Sequence, residues 1–252
     1  MKPSVFFAAA AAVIAMAGCS SKQGDAKSNA PVNYAQVRPP KGGDWTMVVN
    51  QTPAGGFMMG NPNAKVKLIE YGSLTCPHCR EFDETGVPSL VGKYVKSGQV
   101  SWEFRNYVRD AFDLTASLVA RCNGAKSFFP LMRALYKDQT EWFGKKVIGA
   151  PQSQLEQLQN LPPQQQFVAM GKLAGLQDWA AARGVPAAKS NQCLTNQNSV
   201  NQLVQMTSDA TTQYPDFQGT PTFVINGKMF DIKVGSPAWD QLKGGLDKAL
   251  RG

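Results

Sequence analysis

One histidine stands in 252 residues, and that scarcity removes more chemistry than any other feature of the sequence. His78 alone cannot complete a Ser–His–Asp or Cys–His centre built elsewhere in the chain. It cannot supply a structural zinc site either, which asks for four ligands, and Cys122 and Cys193 show no C-x-x-C spacing of their own. Charge is equally dispersed. The formal net charge is +8, yet no run of five like charges occurs. That pattern reads as a solvated, mildly basic surface and argues against nucleic acid as a partner. No internal repeat is evident, and only a Gln-rich patch over 152–166 approaches low complexity. With 43% apolar residues, the chain can bury one good-sized core.

Cysteine is scarce too: Cys19, Cys76, Cys79, Cys122 and Cys193. An odd count is awkward for an exported protein, and export is what the N-terminus suggests. Lys2 precedes an Ala-rich apolar stretch, Val5 to Ala17, too short to span a bilayer comfortably and ending in small residues. Residues 1–18 therefore read as a signal peptide. Met16-Ala17-Gly18-Cys19 matches a lipobox, in which Cys19 would become the lipidated first residue, whereas Ala15-Met16-Ala17 suits ordinary cleavage. Lipidation at Cys19 leaves four cysteines that can pair, and it implies a periplasmic protein tethered to a membrane. Residues 19–43, polar and carrying Pro31, Pro39, Pro40, Gly42 and Gly43, read as a flexible tether. Fully stretched it would reach roughly 80 Å.

From Asp44 the pattern turns globular. Strands are expected at Trp45–Val49, Lys65–Tyr71 and Val100–Tyr107, the last half-buried with Val100, Trp102 and Phe104 inward and Ser101, Glu103 and Arg105 outward. A helix should start at Pro77, run to about Lys96 and kink at Pro88. Ala111 to Tyr214, rich in Ala, Gln, Leu and Met, suggests four to six helices. Strand character returns at Thr222–Asn226, the pair Asn226-Gly227 predicts a hairpin into Met229–Val234, and Ser236-Pro237 should cap a final helix bearing Trp239, Leu242 and Leu246. The order predicts an α/β protein: a thioredoxin fold over 44–110 and 215–252, interrupted by a helical insertion at 111–214.

Cys76-Pro77-His78-Cys79 lies where a strand meets that first helix. The unpaired N–H groups of a helix start stabilise a thiolate, so Cys76 is the expected nucleophile and leaving group. His78 would add a charge or hydrogen bond, and Cys79, one turn inward, would resolve a mixed disulfide. A purely structural role fits poorly, because so tight a disulfide loop removes little unfolded-state entropy. Glu70 shares strand parity with Val66 and Leu68, which sets a carboxylate on an apolar face just before the cysteines. A solvated position at the strand end is the alternative.

The combination of Leu68-Ile69-Glu70-Tyr71, Cys76-Pro77-His78-Cys79, Glu81-Phe82 and Gly219-Thr220-Pro221-Thr222-Phe223 resembles the DsbA family of thiol–disulfide oxidoreductases, from about Asn61 to the C-terminus. The resemblance implies that Pro221 is a cis-proline facing the redox pair. The Thr220 backbone would then pair with an extended substrate segment, although an ordinary strand-start proline is also possible. It implies that Glu70 is a buried acid assisting proton transfer. It also implies a second, structural disulfide, Cys122–Cys193, the alternative being two buried thiols. No dissociable cofactor is expected. The expected activity is a disulfide oxidase acting on substrate proteins with cysteine thiols and reoxidised by a membrane redox partner. Thr220, where the best-known members carry Val, keeps a reductase or isomerase open. A non-catalytic binding lipoprotein is a third alternative.

Overall fold

The computed structural model describes residues 38–39, 43–233 and 235–252. The signal peptide, Cys19 and most of the tether lie outside the described residues. The expected strand at Trp45–Val49 is instead a turn of 3-10 helix, Trp45–Met47, because the Asp44 carboxylate accepts the Thr46 N–H and bends the chain there. The strand follows as β1 (Val49–Gln51) and turns back through β2 (Phe57–Gly60), which sequence reasoning missed. With β3 (Val66–Gly72), β4 (Val100–Asn106), β5 (Thr222–Ile225) and β6 (Lys228–Phe230) they form one six-stranded sheet in the order β1-β2-β4-β3-β5-β6. Only β3 and β4 run parallel.

The β3–β4 crossover contains α1 (Pro77–Thr85), α2 (Val87–Ser89) and a π-helical stretch, Leu90–Val95. The break falls at Gly86, two residues before the expected kink at Pro88, since that proline has no N–H for an uninterrupted ladder. Between β4 and β5 come α3 (Ala111–Arg121), α4 (Ala125–Lys137), a π-helical segment (Thr140–Ile148), α5 (Gln152–Gln159), α6 (Pro163–Ala174), α7 (Leu176–Ala181), α8 (Ala187–Leu194) and α9 (Gln197–Gln213). Seven α-helices exceed the expected four to six, because Pro162, Gly175 and Pro186 stand at their ends. The hairpin turns at Asn226 (φ 50°) and Gly227 (φ 81°), both left-handed as a tight primed turn requires. β6 stops at Phe230, short of the expected Val234. The final helix α10 (Ala238–Arg251) starts after Pro237 without a Ser236 side-chain cap.

One sheet face, with Val66, Leu68, Trp102, Phe104 and Phe223, packs beneath α1, α4 and α10 through Phe82, Phe128, Phe129, Leu242 and Leu246, all buried. Phe129 lies 4.7 Å from Trp102 between ring centroids, and Phe82 lies 4.7 Å from Phe223. These contacts join the inserted helices and the sheet in one apolar cluster. On the other face Tyr71 and Val224 meet Ala210 and Tyr214 of α9 and its end. β4 departs from the expected alternation. Ser101 is buried, and Glu103 and Arg105, expected outward, form a 2.8 Å ion pair with side chains 12% and 16% exposed.

Cys122, just after α3, is disulfide-bonded to Cys193 in α8, closing a 71-residue separation. In the chain-entropy treatment such a loop stabilises by about 4 kcal/mol. The Cys122→Ser/Cys193→Ser double variant should therefore unfold at a lower urea midpoint, its unfolding free energy reduced by up to that amount. An unchanged midpoint would remove the bond from the stability account.

Candidate active site

β3 ends at Gly72, where the backbone packs against β4: a Cβ there would stand 2.5 Å from the Phe104 ring. The chain then turns through Ser73, Leu74 and Thr75 into α1, with Cys76 as the residue preceding its first turn and Pro77 at its first position. Pro77 costs no hydrogen bond there, because a first-turn N–H has no intrahelical partner. Cys76 and Cys79 are both buried and both free thiols, so the structure shows the dithiol form.

The two sulfurs differ in environment. Hydrogen bonding from the Cys79 thiol is the largest influence on Cys76, followed by opposing desolvation. The Thr220 hydroxyl and the backbone N–H groups of Cys79 and His78 add to the lowering, and the Cys76 thiol is brought down from near 9 to about 5. Cys79 is fully buried, and desolvation pushes its thiol well above the usual range. A thiolate at Cys76 and a neutral thiol at Cys79 follow at neutral pH.

Across from the pair runs the segment before β5. Thr220–Pro221 is a cis peptide bond. The Thr220 carbonyl accepts a hydrogen bond from the Cys76 thiol at 3.2 Å. The Thr220 hydroxyl is buried and has no partner in the neutral dithiol, which leaves it available to a thiolate. His78 follows Pro77 in α1. Its ring is turned outward toward Glu81, 3.6 Å from that carboxylate, and its backbone N–H is the part that reaches the sulfur.

Glu70 is 1% exposed on the inner face of β3 and accepts a 3.0 Å hydrogen bond from the Trp102 indole. Desolvation first, then the nearby Asp83 charge, pushes its carboxyl well above the usual range, which favours its protonated form. It lies near enough to Cys79 that the two charges oppose each other. Three further buried groups escaped sequence reasoning. Asp83, on α1, is raised to about 6 by burial despite its 3.1 Å pair with Arg133. Asp113 is fully buried at the start of α3 and raised to about 7 by desolvation. The Gln139 side-chain amide donates to the carbonyls of Leu74 and Cys76. Single acidic or amide residues in helical segments carry no spacing signal that would have marked them. Among the described residues no cluster of three or more His, Cys, Asp or Glu side chains could hold a metal ion.

Beside the pair a groove of about 750 Å³ runs past His78, Phe82, Pro221 and Phe230. Its floor lies along β6, an edge strand of the sheet.

The thioredoxin family model matches residues 52–248. The chain belongs to the thioredoxin family. Its fold is that of solved DsbA structures, with the helical insertion between the two thioredoxin halves. It is 27% identical over 195 residues, 77% of this chain, to a Rickettsia felis protein named as a protein-disulfide oxidoreductase, and spans 60% of that protein's length. A Bacillus anthracis protein named as disulfide bond formation protein D is 25% identical over 195 residues, 77% of each chain. Among solved structures, a protein-disulfide isomerase from Novosphingobium aromaticivorans shares 31% identity with a TM-score of 0.71, covering 77% of this chain and 97% of its own. Wolbachia pipientis alpha-DsbA1, 23% identical with a TM-score of 0.61 over 79% of this chain and 92% of its own, shares the fold.

At this site the lowered Cys76 thiol stabilises the reduced protein. The contribution is full above pH 9, shrinks as pH falls and is gone below about 5, so the dithiol form gains stability over the disulfide form as pH rises between those values. Alkylation of the reduced protein should rise through a midpoint near pH 5 at Cys76. Thr220→Val, which removes a donor to the thiolate, should raise that midpoint by about one unit. An unmoved midpoint would show that the hydroxyl does not reach the sulfur.

Proposed function

We propose that the chain is an exported protein-disulfide oxidase in which Cys76–Cys79 is the redox pair. The carrying observation is the asymmetry of the two sulfurs: Cys76 at the start of α1, against Thr220, and Cys79 fully buried behind it. With the pair oxidised, a substrate thiolate attacks Cys76, the Cys76–Cys79 bond breaks, and a mixed disulfide forms at Cys76. Cys79 leaves as a thiolate and takes a proton, and in this reading buried Glu70, pushed toward its protonated form, donates it. A second substrate thiolate attacks the substrate sulfur of the mixed disulfide, the substrate disulfide forms, and Cys76 leaves as a stable thiolate. Two electrons now reside on the protein, and a membrane redox partner removes them. A thiol lowered to about 5 favours the reduced form at pH 7 by roughly 3 kcal/mol over an ordinary cysteine, about 60 mV in a two-electron couple. That sign suits an oxidant.

In this reading Pro221 and the Thr220 backbone hold an extended substrate segment against Cys76. Pro77 opens α1, and His78 contributes its N–H while its ring meets solvent. Residues 44–110 and 215–252 act as the thioredoxin-like unit, 111–214 as the inserted helical unit, and Cys122–Cys193 as its staple. Signal cleavage before Cys19 and lipidation of that residue would tether the protein on the periplasmic side of a membrane. Among the described residues no helix is long and apolar enough to cross one.

A second reading, isomerase or reductase, is favoured by the Novosphingobium protein-disulfide isomerase at 31% identity. The reduction potential of the pair, set by equilibration with glutathione, separates the two. A value well above that of glutathione is expected, and a value well below it would leave the reductase or isomerase. Cys76→Ser should abolish turnover, and Cys79→Ala should accumulate a mixed disulfide with substrate. Retained turnover in Cys76→Ser would sink both redox readings. Glu70→Gln should slow release of Cys79 at pH 7 on the order of a hundredfold in stopped-flow traces, and an unchanged rate would dismiss Glu70 as the proton donor.

A further inference from the structure

The turn that delivers Cys76 is held from outside the βαβ unit that contains it. Ser73, Leu74 and Thr75 are all buried. The Ser73 hydroxyl donates to Asp113 Oδ2 at 2.6 Å and the Leu74 N–H donates to Asp113 Oδ1 at 2.8 Å. The Thr75 hydroxyl donates to Asp110 at 3.0 Å. From the other side the Tyr136 hydroxyl donates to the Ser73 carbonyl at 3.2 Å, and Gln139 donates to Leu74 and Cys76. All four clamping side chains come from the segment between β4 and β5.

Asp113 is the centre of this clamp. It is fully buried, and its third accepted hydrogen bond comes from the Arg109 N–H at 3.0 Å. No ion pair to it occurs among the described residues. Its charge is held only by donors, two of them on the turn, so its position and the turn's are mutually fixed. The turn in turn fixes both sulfurs. The Ser73 carbonyl accepts the Cys76 N–H at 3.1 Å, which sets the entry of α1, and the Ser73 N–H reaches the Cys79 sulfur.

We propose that Asp113 is a positioning residue of the redox site. By clamping Ser73 and Leu74 from the inserted helices, it holds the helix-start N–H groups on Cys76 and thereby sets the balance between dithiol and disulfide. The inference rests on the reading of Cys76–Cys79 as the redox pair. Loosening the turn weakens the donors to a Cys76 thiolate, so the reduced form loses stability relative to the disulfide.

The test compares full-length wild-type protein with Asp113→Asn, which cannot accept all three bonds, with Ser73→Ala, which removes one, and with Leu203→Ala as a control. Leu203 is a fully buried α9 residue of the main core, with no part in the turn's hydrogen bonds. Thiolate ultraviolet absorbance against pH, the glutathione equilibrium constant and the thermal midpoint are read for each. Asp113→Asn and Ser73→Ala should raise the thiolate midpoint and shift the glutathione equilibrium roughly three- to tenfold toward the disulfide form. Leu203→Ala should lower the thermal midpoint and move neither. If both turn variants lose only thermal stability, as the control does, the clamp is structural and the proposal fails. Should Asp113→Asn not fold, Ser73→Ala decides by the same criteria. A wild-type thiolate midpoint at the ordinary cysteine value would instead overturn the redox reading, a result separate from unchanged variants over a depressed wild-type midpoint.

Discussion

The hydrogen bond between the Cys76 sulfur and the Thr220 carbonyl spans 144 residues of sequence and 3.2 Å of space. Everything else in the structure serves that approach. β3 and β5 pair antiparallel from Leu68 with Ile225 to Tyr71 with Thr222, so the ends that carry the cysteines and the cis-proline emerge at the same edge. The Asn226 side chain ties the far end of the pairing by accepting the Lys67 N–H at 2.8 Å. A register slip of one residue would turn Glu70 and Phe223 to the opposite face and part the two loops.

Around that contact the site separates charge by burial. Cys76 meets helix-start N–H groups and a hydroxyl, all of which favour a negative sulfur. Cys79, Glu70, Asp83 and Asp113 lie deeper, where desolvation opposes charge on each. One ionised sulfur among protonated or donor-held groups is the arrangement that a thiol exchange centre needs. A second charge at Cys79 or Glu70 would repel the first in a medium that screens poorly. Arg133 lies beside Asp83, with its side chain 40% exposed, so solvent and a cation meet the acidic interior there.

Much of this was legible in the residue order. Period-two alternation in β3 and β4, Pro77 behind Cys76, and Asn226-Gly227 each follow from local steric or hydrogen-bond demands that neighbours in sequence satisfy. The failures have one cause. Trp45–Met47 looked like a strand because its side chains are apolar, but the Asp44 cap decided otherwise. Glu103 and Arg105 looked solvent-facing because they are charged, but they pair with each other, and the Thr52 and Tyr71 hydroxyls meet them. For His78, a charge or a hydrogen bond was expected; its backbone N–H makes a hydrogen bond to the sulfur while its ring follows the exposed side of α1 toward Glu81.

The sequence by itself determined the chemistry on offer: two thiols at a helix start, an acid on an apolar strand face, and no second histidine to do anything else. Those are properties of residue type and short spacing, which hold wherever the chain folds. The tertiary structure decided how far the two thiols are set apart, because burial and donor geometry come from segments up to 144 residues away. It also decided that the redox turn is held by Asp110, Asp113, Tyr136 and Gln139, since a hydrogen bond depends on distance through space and leaves no periodic trace in the order of residues.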